Sequence, residues 1–344
     1  MRQLLRARQG AGLAEILARR FVGGIAGVGF DVNVRIDGNQ ILMIHGKHYY
    51  KKNDVVTMRK IGILHPGQMG VAVAATVRNG GNEVYWASEG RSADTGRRAA
   101  EAALLDAGTV ARMCAICPVI ASVCPPEFAE GMAHEIVDYG FRGLYIDANA
   151  ISPERARRIG QLMESNGVAF VDGCIIGQPP ASRGETWICF SGTKAAEAAA
   201  LFPAGPLEAE VLEGDIGQAS ALKMCFSAHA KGMAALRAAV VGAADQLGVL
   251  GDLERQWARS GTPLARAIES IQITAPKAWR FVAEMKEIVA TFESVGMPGD
   301  FHRAAGEIYE RLAPFKGAGK PELADALRRL RLDVPAELVP HRRE

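Results

Sequence analysis

The chain has 344 residues, 49% of them hydrophobic and 23% charged, and carries a formal net charge of +2. That length exceeds one compact core and points to two domains. The near-balanced charge argues against a nucleic-acid or anionic-membrane binder, and no apolar run reaches the roughly 18 residues of a helical membrane span. Six cysteines without the spacing of a disulfide framework fit a reducing cytoplasm.

Residues 1–57 read apart from the rest. Arg2, Arg6, Arg8, Arg19 and Arg20 face a single acid, Glu15, in the first twenty positions. A basic, acid-poor start suits a targeting peptide, a solvated basic helix, or an upstream extension ahead of a natural start at Met58; the extension is the favoured reading. Residues 34–44 are expected to form a hairpin around Asp37-Gly38, a pair suited to a two-residue loop. Gly23, Gly24, Gly27 and Gly29 follow no strand and open no helix pattern, so they do not make a dinucleotide loop.

From Arg59 onward strand and helix patterns alternate. Strands are expected at 61–64, 83–87, 116–123, 144–146, 169–172 and 186–190. Helices are expected at 69–77, 95–106, 128–139 and 153–166, the last opened by Ser152 as a cap with Pro153 at its first position. Such alternation predicts an α/β fold with a doubly wound, mainly parallel sheet. After Asp215 the strand signals vanish. Residues 216–247 form a long proline-free helical stretch, and further helices are expected near 275–294, 301–313 and 321–331. The predicted architecture is an N-terminal Rossmann domain over 58–212, then an all-α domain over 213–344 with a long interdomain helix.

The sharpest local signal is Ile61-Gly62-Ile63-Leu64-His65-Pro66-Gly67-Gln68-Met69-Gly70. A dinucleotide loop needs a side-chain-free position where the pyrophosphate approaches and a small residue where helix packs on strand. Gly67 and Gly70 fill those roles, and the pyrophosphate would rest on the helix N-terminus. His65 stands where a first glycine is usual. Cofactor choice is read after the second strand, in Ser88-Glu89-Gly90-Arg91-Ser92. An acid there favours NAD, whereas an arginine accommodates the 2′-phosphate of NADP. Glu89 speaks for NAD. Arg91 offers a guanidinium fork between the hydroxyls of Ser88 and Ser92, so NADP is the expected cofactor, with NAD as the alternative.

The second signal is Gly217-Gln218-Ala219-Ser220-Ala221-Leu222-Lys223-Met224-Cys225-Phe226-Ser227. Small residues there allow close approach, and a lysine desolvated in a cleft can exchange a proton with a hydroxyl. Ser227 lies one turn on, on the same face. His229 and Lys231 are further candidates for the same cleft. Cys114 and Cys117 have no second pair or histidine pair near them and read as core thiols rather than a metal site.

Together with Val123-Cys124-Pro125-Pro126, Tyr145-Ile146-Asp147-Ala148-Asn149-Ala150 and Val171-Asp172-Gly173-Cys174-Ile175-Ile176-Gly177, these motifs make residues 58–314 resemble the 6-phosphogluconate/3-hydroxyisobutyrate dehydrogenase (β-hydroxyacid dehydrogenase) superfamily. More narrowly, they resemble its branch with a C-terminal domain of unknown function. The resemblance implies hydride transfer between a nicotinamide and a hydroxyl-bearing carbon, with Lys223 as acid/base and Ser227 beside it. It implies that Pro66, Gly67, Gln68 and Met69 hold the pyrophosphate, that Pro125 and Asn149 border the nicotinamide, and that the protein is a homodimer built through its helical domains. Ile176 and Gly177, with Lys231, are expected on the substrate side. Ser227 replaces an asparagine of better-known members and Ile176 a serine, which points to a larger or less acidic substrate than 3-hydroxyisobutyrate. Imine reductases share the fold but usually replace the lysine, so Lys223 counts against them. A dinucleotide-binding protein without the chemistry is the other class, and a solvent-facing Lys223 would favour it.

Overall fold

The computed structural model describes residues 58–331 other than 181 and 262, together with the backbone of four strands within residues 1–57. The chain divides into two compact units, Met1–Met58 and Arg59–Glu344. In the first unit β1 (Arg6–Ala7), β2 (Val32–Ile36), β3 (Gln40–His45) and β4 (His48–Lys51) form a sheet in that order. β2 and β3 pair antiparallel as expected. Their last paired residues are Ile36 and Gln40, and the Asp37-Gly38 turn itself lies outside the described residues. The rest of the Arg-rich start and the glycines at 23–29 lie outside the described residues.

The second unit opens with an eight-stranded sheet. Its strands are β5 (Lys60–Ile63), β6 (Glu83–Trp86), β7 (Leu105–Asp106), β8 (Val119–Ser122), β9 (Leu144–Asp147), β10 (Ala169–Ile176), β11 (Thr186–Ser191) and β12 (Leu207–Val211). Their order is β12-β11-β10-β9-β8-β5-β6-β7. Every pairing is parallel except that of β10 with β11. The order reverses between β5 and β8, and the carboxyl ends of those strands open the crevice where such sheets take their ligands. β8 and β9 are buried at every residue, as strands covered on both faces must be. On one face lie α1 (Gln68–Asn79), α2 (Ala93–Glu101) and the short α6 (Ala195–Ala199). On the other lie α3 (Val110–Ile116), α4 (Ala129–Asp138) and α5 (Pro153–Ser165).

The sheet then hands over to α7 (Gln218–Gln246), a 29-residue helix. Around it pack α8 (Leu250–Arg259), α9 (Leu264–Thr274), α10 (Ala278–Ser294), α11 (Asp300–Leu312) and α12 (Leu323–Leu330). Their shared core includes Met224, Val241, Ile271, Met285, Ile288 and Tyr309. No strand occurs among the described residues beyond Val211.

Three local expectations are corrected. The Ala-rich run at 95–106 is helical only to Glu101; Ala103 then adopts φ 51°, and Leu105–Asp106 pairs with β6 as the sheet's edge. Residues 207–211, where no strand is expected from the sequence, are the opposite edge strand. Ser152 sits at the N-cap of α5, but its side chain makes no cap bond. Its backbone N–H instead donates to Glu287 of α10 at 2.8 Å, and Arg155 pairs with the same carboxylate at 2.6 Å. That carboxylate joins the sheet domain to the helical one.

Candidate active site

The loop between β5 and α1 presents open backbone donors rather than side chains. Helix α1 starts at Gly67 with no side-chain cap and no acid in its first turn. The first bond within the helix runs from Val71 N to Gly67 O, 2.9 Å, which leaves the N–H groups of Gln68, Met69 and Gly70 as its open donors. A Cβ at Gly67 would meet nothing within 4 Å, whereas one at Gly70 would stand 2.0 Å from His65 O. Gly67 therefore leaves open space, and Gly70 lets helix and turn meet. An anion with several oxygens fits such a start, so the loop suits a dinucleotide pyrophosphate. Pro66 is buried and holds the turn, Gln68 is exposed, and Met69 packs against the sheet core.

Beyond β6, Glu89 is exposed and Arg91 half-buried. Arg91 Nε and His65 Nδ1 are both buried without a hydrogen-bond partner. Burial, and then the Arg91 charge, push the His65 imidazole down to about 4, so it is neutral at physiological pH. Two polar atoms left open beside the phosphate loop fit a ligand group bearing oxygens. Ser88 accepts from Arg91 N through its carbonyl at 3.1 Å. The Ser92 hydroxyl accepts from Thr95 N at 3.3 Å as the cap of α2, so its expected service to a phosphate competes with capping.

At the carboxyl ends of β8 and β9 the side chains lock one another. Asn149, 2% exposed, accepts from Cys124 N at 2.6 Å and donates to Ser122 Oγ at 3.1 Å. Asn149 N donates to Asp147 Oδ1 at 2.9 Å. This fixes the turn that ends in Pro125. Burial pushes the Asp147 carboxyl up to about 7 and the Cys124 thiol up to about 12.

Asp172, at the same edge on β10, organises the start of α7. Its carboxylate accepts from Gly217 N at 2.8 Å, Ser220 N at 3.1 Å, Ser220 Oγ at 2.6 Å and Ser191 Oγ at 3.1 Å. An acid at a helix N-terminus satisfies the orphan donors and opposes the dipole. The anchored turn carries Lys223, which is half-buried and donates from Nζ to Ile175 O at 2.7 Å. The ammonium is thus at the carboxyl edge of β10, the edge on which the phosphate loop also lies. Beyond it Ile176 is half-buried against the Cys174–Cys189 cluster. Gly177 is exposed, with φ 125° and a Cβ position 2.7 Å from Glu185 O.

Further along α7 the expectations divide. Ser227 is 1% exposed and Lys231 half-buried on the Lys223 face. His229 is exposed on the opposite face, so it does not join the cleft: 100° per residue turns it away. Lys231 is ion-paired with Glu284 of α10. Neither Glu284 nor Asp172 had been given a role on sequence grounds. A signal for Glu284 existed: it interrupts the apolar series Phe281, Met285, Ile288 at helical spacing. Cys114 and Cys117 are buried, with their thiols pushed up to about 11 and about 12 by burial.

Two family models match the chain. Residues 60–202 match the NAD binding domain of 6-phosphogluconate dehydrogenase, and residues 244–312 match a domain of unknown function, DUF1932. An uncharacterized 28.5 kDa protein of Methanothermus fervidus is 32% identical over 135 residues. That alignment spans 39% of this chain and about half, 51%, of the relative. A conserved protein of unknown function, described as structurally similar to 3-hydroxyacid dehydrogenases, is 28% identical with a TM-score of 0.55, over 79% of this chain and 100% of its own. The fold is also that of a Mycobacterium tuberculosis 3-hydroxyisobutyrate dehydrogenase, 18% identical with a TM-score of 0.58, over 80% of this chain and 100% of that one.

Proposed function

The chain belongs to the 6-phosphogluconate/3-hydroxyisobutyrate dehydrogenase superfamily, in the branch with a DUF1932 domain, and on that premise we propose that it is an NADP-dependent oxidoreductase acting on a hydroxyl-bearing carbon of a small to medium hydroxy acid. The observation that carries the reading is Lys223, held by Ile175 O at the ligand edge of the sheet on a helix whose start is bolted down by Asp172. Pro66, Gly67, Gln68 and Met69 would hold the pyrophosphate, Arg91 and Ser88 the 2′-phosphate, and Pro125 and Asn149 the nicotinamide side. When bound, the nicotinamide supplies or accepts the hydride. Lys223 gives or takes the proton at the substrate oxygen, so that no charged alkoxide is left in the cleft. Ile176 and Gly177 line the substrate side, and the apolar Ile176 disfavours a small carboxylate there. Purified protein is expected to oxidise or reduce members of a panel of hydroxy acids, sugar acids and their carbonyl forms, followed by NADPH absorbance. Absence of NADP(H) binding would end the proposal.

The cofactor preference has its own test. Arg91→Ala should weaken NADPH by roughly 10- to 150-fold, the equivalent of a charge-assisted contact of about 1.5–3 kcal/mol, while NADH changes little. Equal loss for both would return the choice to Glu89.

The homodimer is supported by the outer face of α7. Leu222, Phe226, Met233 and Leu236 are all exposed there, Phe226 by 48% and Leu236 by 41%. They recur at helical spacing along a stripe beside the Lys223 face. Such a stripe on a helix of this length asks for a covering surface. Leu236 is far along the helix from Lys223, so Leu236→Glu should convert a dimer to a monomer in size-exclusion chromatography with light scattering. An unchanged dimer would place the interface elsewhere.

A further inference from the structure

Lys223, Ser227 and Lys231 stand at i, i+4 and i+8 of α7, on one face. Glu284 of α10 meets Lys231 on that face and is only 6% exposed. It is paired with Lys231, whose ammonium also lies 4.7 Å from the centroid of the Phe281 ring. Glu284 Oε1 is buried and has no hydrogen-bond partner. Burial pushes the Glu284 carboxyl up, but Lys231, Lys223 and the Ser227 hydroxyl outweigh it and hold the group below the usual carboxylate range. Burial likewise pushes Lys231 down, Glu284 pulls it back up, and Lys223 adds to the downward push. All three charges therefore feel one another. Buried pairs are poor sources of stability, since apolar replacements of similar volume are often neutral or better. This one stands beside the group assigned to proton transfer.

We infer that Glu284, clamped by Lys231, is the positioning residue of the Lys223 site, and that this pair sets the charge felt at Lys223 Nζ when it meets the substrate oxygen. The inference rests on the reading of Lys223 as the proton-transfer group. Other groups near α7 are committed elsewhere. Asp172 on β10 is held by the donors at the helix start. Cys174 on β10 is a buried thiol pushed up first by its hydrogen bond with Cys189 of β11 and then by burial. On α11, Tyr309 donates to Lys231 O at 2.6 Å and its phenol is pushed up by burial, so it is neutral. His302 is pushed down by burial, with the Ala228 backbone pulling it back. Arg157 of α5 lies against Gly217, two turns from Lys223.

The two members of the pair act with opposite signs. Without the carboxylate, two ammonium groups face each other in a poorly solvated space, and Lys223 loses its proton more readily. Without Lys231, the carboxylate is left to Lys223 alone and holds its proton. The test is competitive labelling with acetic anhydride across the alkaline range, with acetylation of the Lys223 peptide read by mass spectrometry. At a fixed alkaline pH, Glu284→Gln should raise Lys223 labelling roughly tenfold. Lys231→Met should lower it by a similar factor, and Lys231→Arg, which keeps the charge, should leave it near wild type. Unfolding can only raise labelling and would raise that of surface Lys194 as well, so a fall in Lys231→Met cannot come from a damaged fold. Shifts in the same direction, or none, overturn the inference. The assay needs no turnover. If Lys223→Ala keeps its activity, the reading of function fails by itself; if that variant is inactive while labelling does not move, the inference alone fails.

Discussion

Replacing Lys223 by alanine is expected to lower kcat by about 10²–10⁴-fold, the usual range for a lost general acid or base, and to leave NADP(H) affinity nearly unchanged. The hydride moves at carbon, so the attached oxygen must lose or gain a proton in the same event. Lys223 Nζ is on the ligand edge of the sheet, and its observed acceptor, Ile175 O at 2.7 Å, is a neutral carbonyl that a substrate oxygen can replace. Ser227 is buried on the same face and its hydroxyl is too weak an acid to take over. The cofactor phosphates are assigned to the loop before α1, which the substitution does not touch. Steady-state turnover on the substrate found by the panel, together with fluorescence titration of NADPH, makes the measurement. Near-normal turnover would make Lys223 a scaffold residue and move the search for the proton donor to Lys231. Collapse of turnover and cofactor affinity together would report damage to the fold.

Asp172→Ala is expected to destabilise the protein by about 2–4 kcal/mol. The carboxylate serves four donors at the start of α7, among them Gly217 N and Ser220 N. Leaving buried donors unsatisfied costs about 1–3 kcal/mol each. Part of that is offset, because burial pushes the Asp172 carboxyl up and so already penalises its charge. Asp172→Asn, neutral and of the same shape, keeps one acceptor and should lose less. Since the anchored turn carries Lys223, turnover should fall with stability in the alanine variant even at temperatures where it is fully folded. Denaturant unfolding and thermal melting supply the comparison. A change within about 0.5 kcal/mol, the range of an ordinary surface substitution, would mean that water or rearranged backbone replaces the carboxylate.

The phosphate loop and the lysine helix were legible because each depends on local chemistry. Gly70 is required by a carbonyl 2.0 Å from a would-be Cβ, and Gly67 leaves the open space that an anion at the helix start would need; both features lie within one turn of chain. The strand–helix alternation was legible because burial on both faces writes continuous apolar runs such as those of β8 and β9. The edges were not. Leu105–Asp106 is exposed at both residues and too short to show a pattern, and β12 alternates apolar residues with Glu208 and Glu210, a residue type depleted in strands; each is a strand because a neighbour offers it a ladder. The reversal of β11 is likewise a property of pairing.

The site divides along the same line. Residue types and their order along the chain determined that there would be a glycine turn ahead of a helix, a long helix with a lysine near its start, and an arginine after the second strand. They did not determine which way α7 faces. That helix is apolar on both sides, so His229 stayed a candidate beside the slightly preferred Lys231 until the packing of α10 and α11 turned Lys231 inward and left His229 outside. Glu284, 61 positions after Lys223 in the chain, became part of the same cluster only through that packing. Helical periodicity states which side chains share a face, but the partner buried against each face is chosen by the sum of contacts over the whole domain. The charge environment of Lys223 is set by that choice.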